Sequence, residues 1–113
     1  MHELGLMQSI VNTIHDHVKD NHVQKVVKVI LEIGNMSGVV PEALEFCFSL
    51  CTKGTVLEEA QLEIERVAAL GRCGKCGKIF DLIENEFCCP ECKEGGWELV
   101  SGRELIIKGL EVI

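Results

Sequence analysis

The first third of the chain contains two runs in which apolar residues recur at regular intervals. In the first run the spacing is helical and polar residues occupy the other side. Its apolar members are Leu4, Met7, Ile10, Val11, Ile14 and Val18. This pattern predicts an amphipathic helix that begins almost at the first residue. In the second run, residues 24–33, apolar side chains alternate and occupy both faces, which predicts a long, largely buried strand.

A second helix and two more strands are predicted further along. Pro41 favours a helix start, because its missing N–H costs nothing at the first helical position. The helix is expected to end near residues 53–54. Its apolar stripe consists of Leu44, Cys47, Phe48 and Cys51. Residues 60–67 alternate apolar and acidic positions, which predicts a strand with one solvent-exposed face, and residues 104–113 are also strand-like, with a bulge expected at Gly109.

A segment of different character, which we call the cysteine module, spans residues 71–96. It is rich in glycine, cysteine and lysine and contains few aliphatic residues. The predicted order is therefore helix, strand, helix, strand, cysteine module and strand. A module of about 26 residues with so few aliphatic side chains buries too little apolar surface to fold unaided, so a bound metal is expected to supply its folding energy.

The composition limits the classes to which the protein can belong. Its 113 residues leave room for one core domain and a small satellite, and 47% are hydrophobic, too many for a disordered chain. A net charge of −7 argues against nucleic acid or an anionic membrane as a main partner. The seven cysteines, an odd number, fit a closed disulfide framework poorly. Because we recognise neither a signal peptide nor a membrane-spanning run, we expect a cytoplasmic location.

Two Cys-x-x-Cys pairs, separated by twelve residues, stand in the cysteine module. The four thiols belong to Cys73, Cys76, Cys89 and Cys92. Such pairs suit a tetrahedral ion, and four sulfur ligands leave no position for catalysis, so we predict a structural zinc site with iron as the main competitor. Gly77 is expected to adopt the left-handed conformation that turns backbone N–H groups toward sulfur. Cys88 is an alternative to Cys89, but the Cys-Pro-x-Cys pattern favours Cys89 as the ligand.

The amino terminus offers a second set of metal ligands. The α-amine of Met1, the amide nitrogen of residue 2 and the imidazole of His2 can chelate one ion. A nitrogen-rich, near-planar set of this kind suits nickel or copper. Glu3 can add an amide nitrogen or a carboxylate. On the residues alone, however, a histidine near a terminus is more often solvated than a ligand.

Other histidines and cysteines have simpler interpretations. His15, His17 and His22 lie at or just beyond the end of the first predicted helix, where they complement its negative end. Cys47 and Cys51 are one helical turn apart and could hold a metal. They share a stripe with apolar residues, however, so buried structural thiols are the preferred interpretation.

Several motifs together resemble one protein family over essentially the whole chain. Besides the cysteine pairs, they are Met1-His2-Glu3-Leu4, Gly34-Asn35-Met36-Ser37 before Pro41-Glu42, Gly54-Thr55 through Ala60-x-Leu62, and Ser101-Gly102-Arg103-Glu104-Leu105. This combination resembles the HypA/HybF family of hydrogenase nickel-incorporation proteins. It is far more specific than either metal motif alone.

The resemblance implies an α+β fold in two parts. A nickel-binding domain, residues 1–70 and 98–113, is expected to have a three-stranded antiparallel sheet covered by two helices. A small zinc-ribbon-like domain, residues 71–97, is expected as an insertion before the last strand. We expect the joint at Gly95-Gly96-Trp97 to lead into the main sheet and to let the two parts reorient.

The resemblance also implies a function. It implies a metallochaperone and not an enzyme, with nickel as cargo at Met1, His2 and Glu3, and with structural zinc at the four cysteines. The implied partners are the GTPase HypB and the large-subunit precursor of nickel–iron hydrogenase; some members also serve urease, which adds urease maturation proteins. Some relatives complete the nickel site with a histidine near the zinc module, and residues 71–96 contain none.

The residues themselves leave rival classes open. The first is a zinc-ribbon module that binds nucleic acid or protein, although the negative charge and the small number of aromatic residues oppose base stacking and phosphate contacts. The second is an iron-based electron carrier. The third is a thiol oxidoreductase, which zinc ligation disfavours because it leaves the cysteines inert.

Overall fold

A computed structural model describes residues 3–93 and 96–113 of the chain. Within these ranges the chain forms two helices and six strands. They are α1 (Glu3–Lys19), β1 (Val26–Gly34), α2 (Pro41–Cys51), β2 (Gln61–Val67), β3 (Leu70–Cys73), β4 (Ile79–Asp81), β5 (Trp97–Ser101) and β6 (Leu105–Val112). The five elements that the apolar pattern predicts are confirmed, with their ends within a few residues of the expected positions. The helix α2 ends slightly early, where the side chain of Thr52 bonds back to the carbonyl of Phe48.

The three strands β2, β1 and β6 form the larger sheet, with β1 in the centre. The strands β1 and β6 are antiparallel, since Gly34 donates to the carbonyl of Glu104 and Ile113 donates to that of Lys25. In the contacts between β1 and β2 the residue numbers of both strands increase together, from Lys28–Glu63 to Asn35–Val67, which is the order of a parallel pair. That order is expected for a pair joined by the helical connection α2. The α+β class with three strands and two helices is thus confirmed, with β1 and β6 as its antiparallel pair.

The main core lies in the larger sheet and the two helices, which contact each other. Its fully buried side chains include Met7, Ile14, Val26, Val29, Leu31, Leu44 and Leu57. Most of them come from the apolar stripe of α1, from β1 and from α2, as helical and alternating periodicity require, and Leu57 lies in the connection after α2. In the part of the chain that the structure describes, no helix is long and apolar enough to cross a membrane.

Ion pairs on the solvent face of the larger sheet show where the alternation of side chains between the two faces of β6 is interrupted. Lys108 pairs with Glu65 at 2.6 Å, and Glu111 lies 3.9 Å from Lys28. Residues an odd number apart normally point to opposite faces of a strand. Because Lys108 and Glu111 share one face, the pleat must shift between them, as the bulge predicted at Gly109 requires.

A second, smaller sheet has the order β4-β3-β5 and is antiparallel. In its register, Arg72 faces Ile79 on one side and Cys73 faces Trp97 on the other. The expectation that the joint at Trp97 leads into the main sheet is therefore wrong, because β5 continues the small sheet as far as Ser101. The Gly95 of that joint lies outside the described residues.

The chain divides into two compact units. The large unit comprises residues up to Glu32, 39–65 and 106–113, and the small unit comprises residues 33–38 and 66–105. The small unit is wider than the insertion predicted at 71–97, because Met36 packs against its core and the side chain of Ser101 donates to the carbonyl of Ala68 at 2.8 Å. Which metal each part binds stays a prediction.

Candidate metal centre

The four paired cysteines lie together in the small unit. The sulfur atoms of Cys73, Cys76, Cys89 and Cys92 all lie within 4.8 Å of one another. The Cys76 and Cys89 sulfur atoms are 3.7 Å apart. Tetrahedral zinc with Zn–S bonds of about 2.3 Å requires sulfur separations of about 3.8 Å, whereas a disulfide requires about 2.05 Å. The spacing therefore fits a metal ion held by four sulfur atoms, as the cysteine pairs predict.

Both cysteine pairs use the same backbone turn. The N–H of Gly77 donates to the carbonyl of Cys73 at 3.0 Å, and the N–H of Lys93 donates to that of Cys89 at 2.7 Å. In each pair the residue after the second cysteine is left-handed, with φ of 75° at Gly77 and 57° at Lys93. The left-handed conformation expected at Gly77 is confirmed. Lysine adopts the same conformation with a steric penalty that glycine avoids.

This difference gives a prediction. We expect Lys93→Gly to stabilise the metal-loaded protein by about 0.5–1 kcal/mol, since it removes the penalty of a left-handed Cβ but adds freedom to the unfolded chain. Thermal unfolding of the loaded protein measures this change. Lys93→Ala removes the same charge and keeps the Cβ, so it should give no gain. Equal stabilisation by both variants would show that charge, not backbone conformation, is responsible.

Backbone N–H groups and neighbouring thiols set the protonation of the cluster. The N–H groups of Cys76 and Lys75 point at the Cys73 sulfur, the latter at 3.4 Å, and lower the pKa of that thiol to about 6. Hydrogen bonds with Cys76 and then Cys73 raise the pKa of Cys92 to about 12. These contacts therefore favour the thiolate of Cys73 and oppose that of Cys92. A bound divalent metal supplies the positive charge that stabilises adjacent thiolates.

The cluster is anchored on a small apolar core. Cys73 is 3% exposed and Cys89 is 1% exposed. Both pack with Ala69, Phe80 and Leu82, while Met36, Trp97 and Leu99 pack against this core from outside. The composition did not predict such a core, because its members are dispersed along the chain. They hold one cysteine of each pair in place, which leaves Cys76 exposed and Cys92 half-buried.

Charged side chains around the cluster are paired with one another. Lys78, after the first cysteine pair, bonds to Glu91 of the second at 3.2 Å, and Arg72 lies 3.5 Å from Glu98. All four groups are well exposed, so each pair adds little stability. The ammonium group of Lys78 carries a positive charge, which offsets part of the negative charge of four nearby thiolates. Its carboxylate partner reduces that effect and instead links the two turns.

The remaining cysteines lie outside the cluster. Cys88 is half-buried and its N–H donates to the carbonyl of Asn85. In α2, Cys47 is buried and Cys51 is half-buried. Burial, followed by the proximity of Cys47, raises the pKa of the Cys51 thiol. Among the described residues neither belongs to a group of three or more metal ligands.

The predicted nickel ligands lie at the other end of the chain. Met1 and His2 are outside the described residues. Glu3 is the first residue of α1, is only 7% exposed, and accepts a hydrogen bond from the N–H of Val40 at 3.2 Å. Sequence reasoning missed this contact, although a valine directly before the helix-starting Pro41 is a weak signal that the capping group comes from elsewhere. His15, His17 and His22 join no metal-ligand group within the described chain.

Comparison with known proteins gives one consistent family. A family model described as "Hydrogenase/urease nickel incorporation, metallochaperone, hypA" matches residues 1–112. The chain is 47% identical over 112 residues to the hydrogenase maturation factor HypA of Geobacter metallireducens, covering 99% of each chain. It is 43% identical over 113 residues to that of Nostoc punctiforme, covering 99% of this chain and 96% of the relative. The match thus spans both compact units.

Solved structures agree at the level of the fold. The solution structure of the Ni metallochaperone HypA from Helicobacter pylori aligns with a TM-score of 0.69 at 23% identity, covering 100% of this chain and 98% of that one. A second solution structure, titled HypA protein, aligns with a TM-score of 0.73 at 22% identity and covers 97% of its chain. At such identities the likeness concerns chain topology alone.

Proposed function

Because this chain belongs to the HypA family of nickel metallochaperones for hydrogenase maturation, we propose that it binds Ni(II) at its amino terminus and delivers it to a nickel–iron hydrogenase during assembly. The observation that carries the proposal is the family match over residues 1–112, which includes the terminal Met1-His2-Glu3. The family consists of metallochaperones, so the chain is not an enzyme. The alternative of a nucleic-acid-binding zinc ribbon has no support from these relatives.

The second part of the proposal is a structural zinc ion at Cys73, Cys76, Cys89 and Cys92. The 3.7 Å sulfur separation and the four-sulfur donor set support it. Bound zinc supplies the positive charge that four adjacent thiolates need and ties the two cysteine turns together. Elemental analysis of the purified protein distinguishes zinc from iron.

The nickel ligands we propose are nitrogen atoms of the first three residues. Met1 and His2 contribute the α-amine, an amide nitrogen and an imidazole. From Glu3 we assign the amide nitrogen, because its carboxylate already accepts a hydrogen bond from Val40. The N–H groups in the first turn of a helix have no acceptor within that helix, so using this nitrogen breaks no hydrogen bond of α1.

The partners that fit this role are the GTPase HypB and the precursor of the hydrogenase large subunit. The description of the family also names urease, so urease maturation proteins are further candidates. The net charge of −7 suits a protein that handles metal cations and basic protein surfaces. Delivery inside a reducing cytoplasm is consistent with seven cysteines of which none forms a disulfide.

Two changes at the terminus test the nickel proposal. His2→Ala removes the imidazole, and a short tag before Met1 removes the free amine while keeping every side chain. We expect each to lower nickel affinity at least a hundredfold without loss of zinc, because each removes a ligand of a chelate. Calorimetric titration with nickel, together with zinc analysis, measures both.

His17→Ala, a change in an exposed histidine at the other end of α1, serves as the control and should bind nickel normally. Transfer is then followed as nickel incorporated into the purified large-subunit precursor. Equal nickel affinity in tagged and untagged protein would refute the terminal site.

A further inference from the structure

The side chain of Glu3 carries a carboxylate that is buried, and its hydrogen-bond partner gives a reason for that burial. Glu3 and Thr52 are the buried polar or charged residues among those the structure describes, and Glu3 is 7% exposed. Burying a carboxylate is unfavourable unless hydrogen bonds or positive charge compensate. One compensation is the hydrogen bond that its Oε2 accepts from the N–H of Val40 at 3.2 Å, which links residues 37 positions apart.

The start of α2 lacks a capping group of its own. The residue before its first turn is Val40, which is extended at φ −93° and ψ 113° and provides no side-chain cap. The next residue, Pro41, has no N–H. Helix starts usually recruit an oxygen acceptor, and negative charge there is stabilised by the helix dipole. Glu3 supplies both to α2 from another helix, and as the first residue of α1 it is also favourably placed for the dipole of α1.

We propose that Glu3 is a positioning residue, whose carboxylate pins the metal-binding terminus to the start of α2 and is not itself a nickel ligand. This inference rests on the proposed nickel site, which includes the amide nitrogen of Glu3. An anchor at the Glu3 side chain restricts the position of that amide nitrogen before the metal arrives, because both belong to the same residue. Groups that orient metal ligands through hydrogen bonds typically change metal affinity by about 10- to 100-fold.

The hydrogen bond can be removed from either side. Glu3→Ala removes the acceptor. Val40→Pro removes the donor, and its extended backbone accommodates proline with a small adjustment of φ. If the two groups act through one hydrogen bond, each variant should bind nickel about tenfold more weakly, and the double variant should be no weaker than either single one.

Two readouts separate positioning from ligation and from loss of folding. The visible absorption spectrum of bound nickel should be unchanged in Glu3→Ala, since no ligand is lost. Zinc content and far-ultraviolet circular dichroism should also be unchanged. Val40→Ala, which keeps the N–H, is the matched control and should bind nickel as the native protein does.

Amide hydrogen exchange at Val40 tests the anchor without any metal. Glu3→Ala should accelerate it at least tenfold, because the N–H loses its acceptor. Unchanged exchange and unchanged affinity would overturn the anchor, and a shifted nickel spectrum in Glu3→Ala would show that the carboxylate is a ligand. Failure of the proposed function has a different signature, since nickel affinity would then resist His2→Ala as well.

Discussion

Replacing Cys89 with serine is expected to abolish zinc binding and to unfold the small unit. Cys89 is 1% exposed, contributes to the small apolar core and lies 3.7 Å from Cys76. Structural zinc in zinc-finger peptides contributes about 10–16 kcal/mol of apparent binding free energy at neutral pH. A core of five buried residues cannot replace a contribution of that size. Zinc per chain, from elemental analysis, should fall from one to near zero.

The neighbouring thiol provides the control. Cys88→Ser removes a sulfur atom one residue away that lies outside the four-cysteine cluster. It should retain one zinc per chain and the native amide spectrum. In Cys89→Ser the helices should survive, because their apolar stripes are buried in the larger core. A Cys89→Ser protein with full zinc, or a Cys88→Ser protein without it, would contradict the ligand assignment.

Replacing Gly34 with alanine is expected to destabilise the protein by about 4 kcal/mol, the range reached when a substitution has no low-strain solution. A Cβ at Gly34 would overlap the carbonyl carbon and oxygen of Gly102 and lie 2.6 Å from the nitrogen of Arg103. These are backbone atoms, so no side chain can rotate away. Gly102 has little room to retreat, because Ala69 lies close behind it: a Cβ built on Gly102 would lie 2.7 Å from the Cα of Ala69.

Urea unfolding measures this loss, and Gly5→Ala is the matched control. Gly5 lies on the exposed side of α1 with nothing within 4 Å of the added methyl group. The same chemical change there should stabilise the protein by about 0.5–1 kcal/mol, as alanine generally does in a helix. The two substitutions should therefore differ in sign. A Gly34→Ala protein as stable as the native one would mean that the backbone approach is looser than the structure indicates.

Sequence reasoning predicted the elements in which buried apolar residues recur at a fixed period along the chain. The stripe from Met7 to Val18 and the alternation through β1 are visible because each residue obeys the same periodicity. The spacing of the cysteine pairs likewise predicted their convergence. Both signals are local, or nearly so, and can be read before any tertiary contact is known.

The features that sequence reasoning missed depend on contacts between distant residues. The strands β3, β4 and β5 have three to five residues each, too few for a period to emerge, and only their mutual pairing defines them. The capping of α2 by Glu3 and the packing of Met36 on the small core depend on tertiary contacts in the same way. No local pattern encodes such partners.

The family motifs acquire a physical meaning from the structure. The segments Gly34-Asn35-Met36-Ser37 and Ser101-Gly102-Arg103-Glu104-Leu105 are far apart in sequence yet meet in the small unit. The N–H of Gly34 donates to the carbonyl of Glu104, and that of Met36 donates to the carbonyl of Gly102 at 2.7 Å. Their glycines allow this close approach. The resemblance identified the motifs, and the backbone contact explains their composition.

The hydrogen bond from the Ser101 side chain to the carbonyl of Ala68 closes a loop of the chain within the small unit. Closing that loop already brings the end of β2 near the start of β6. The entropy of bringing these two strands together is therefore lost when the small unit folds. The last strand then docks as if a short connection separated it from the rest of the sheet. Loop-closure entropy also grows only slowly with length, so the entropic cost of closing this loop would change little if its length changed.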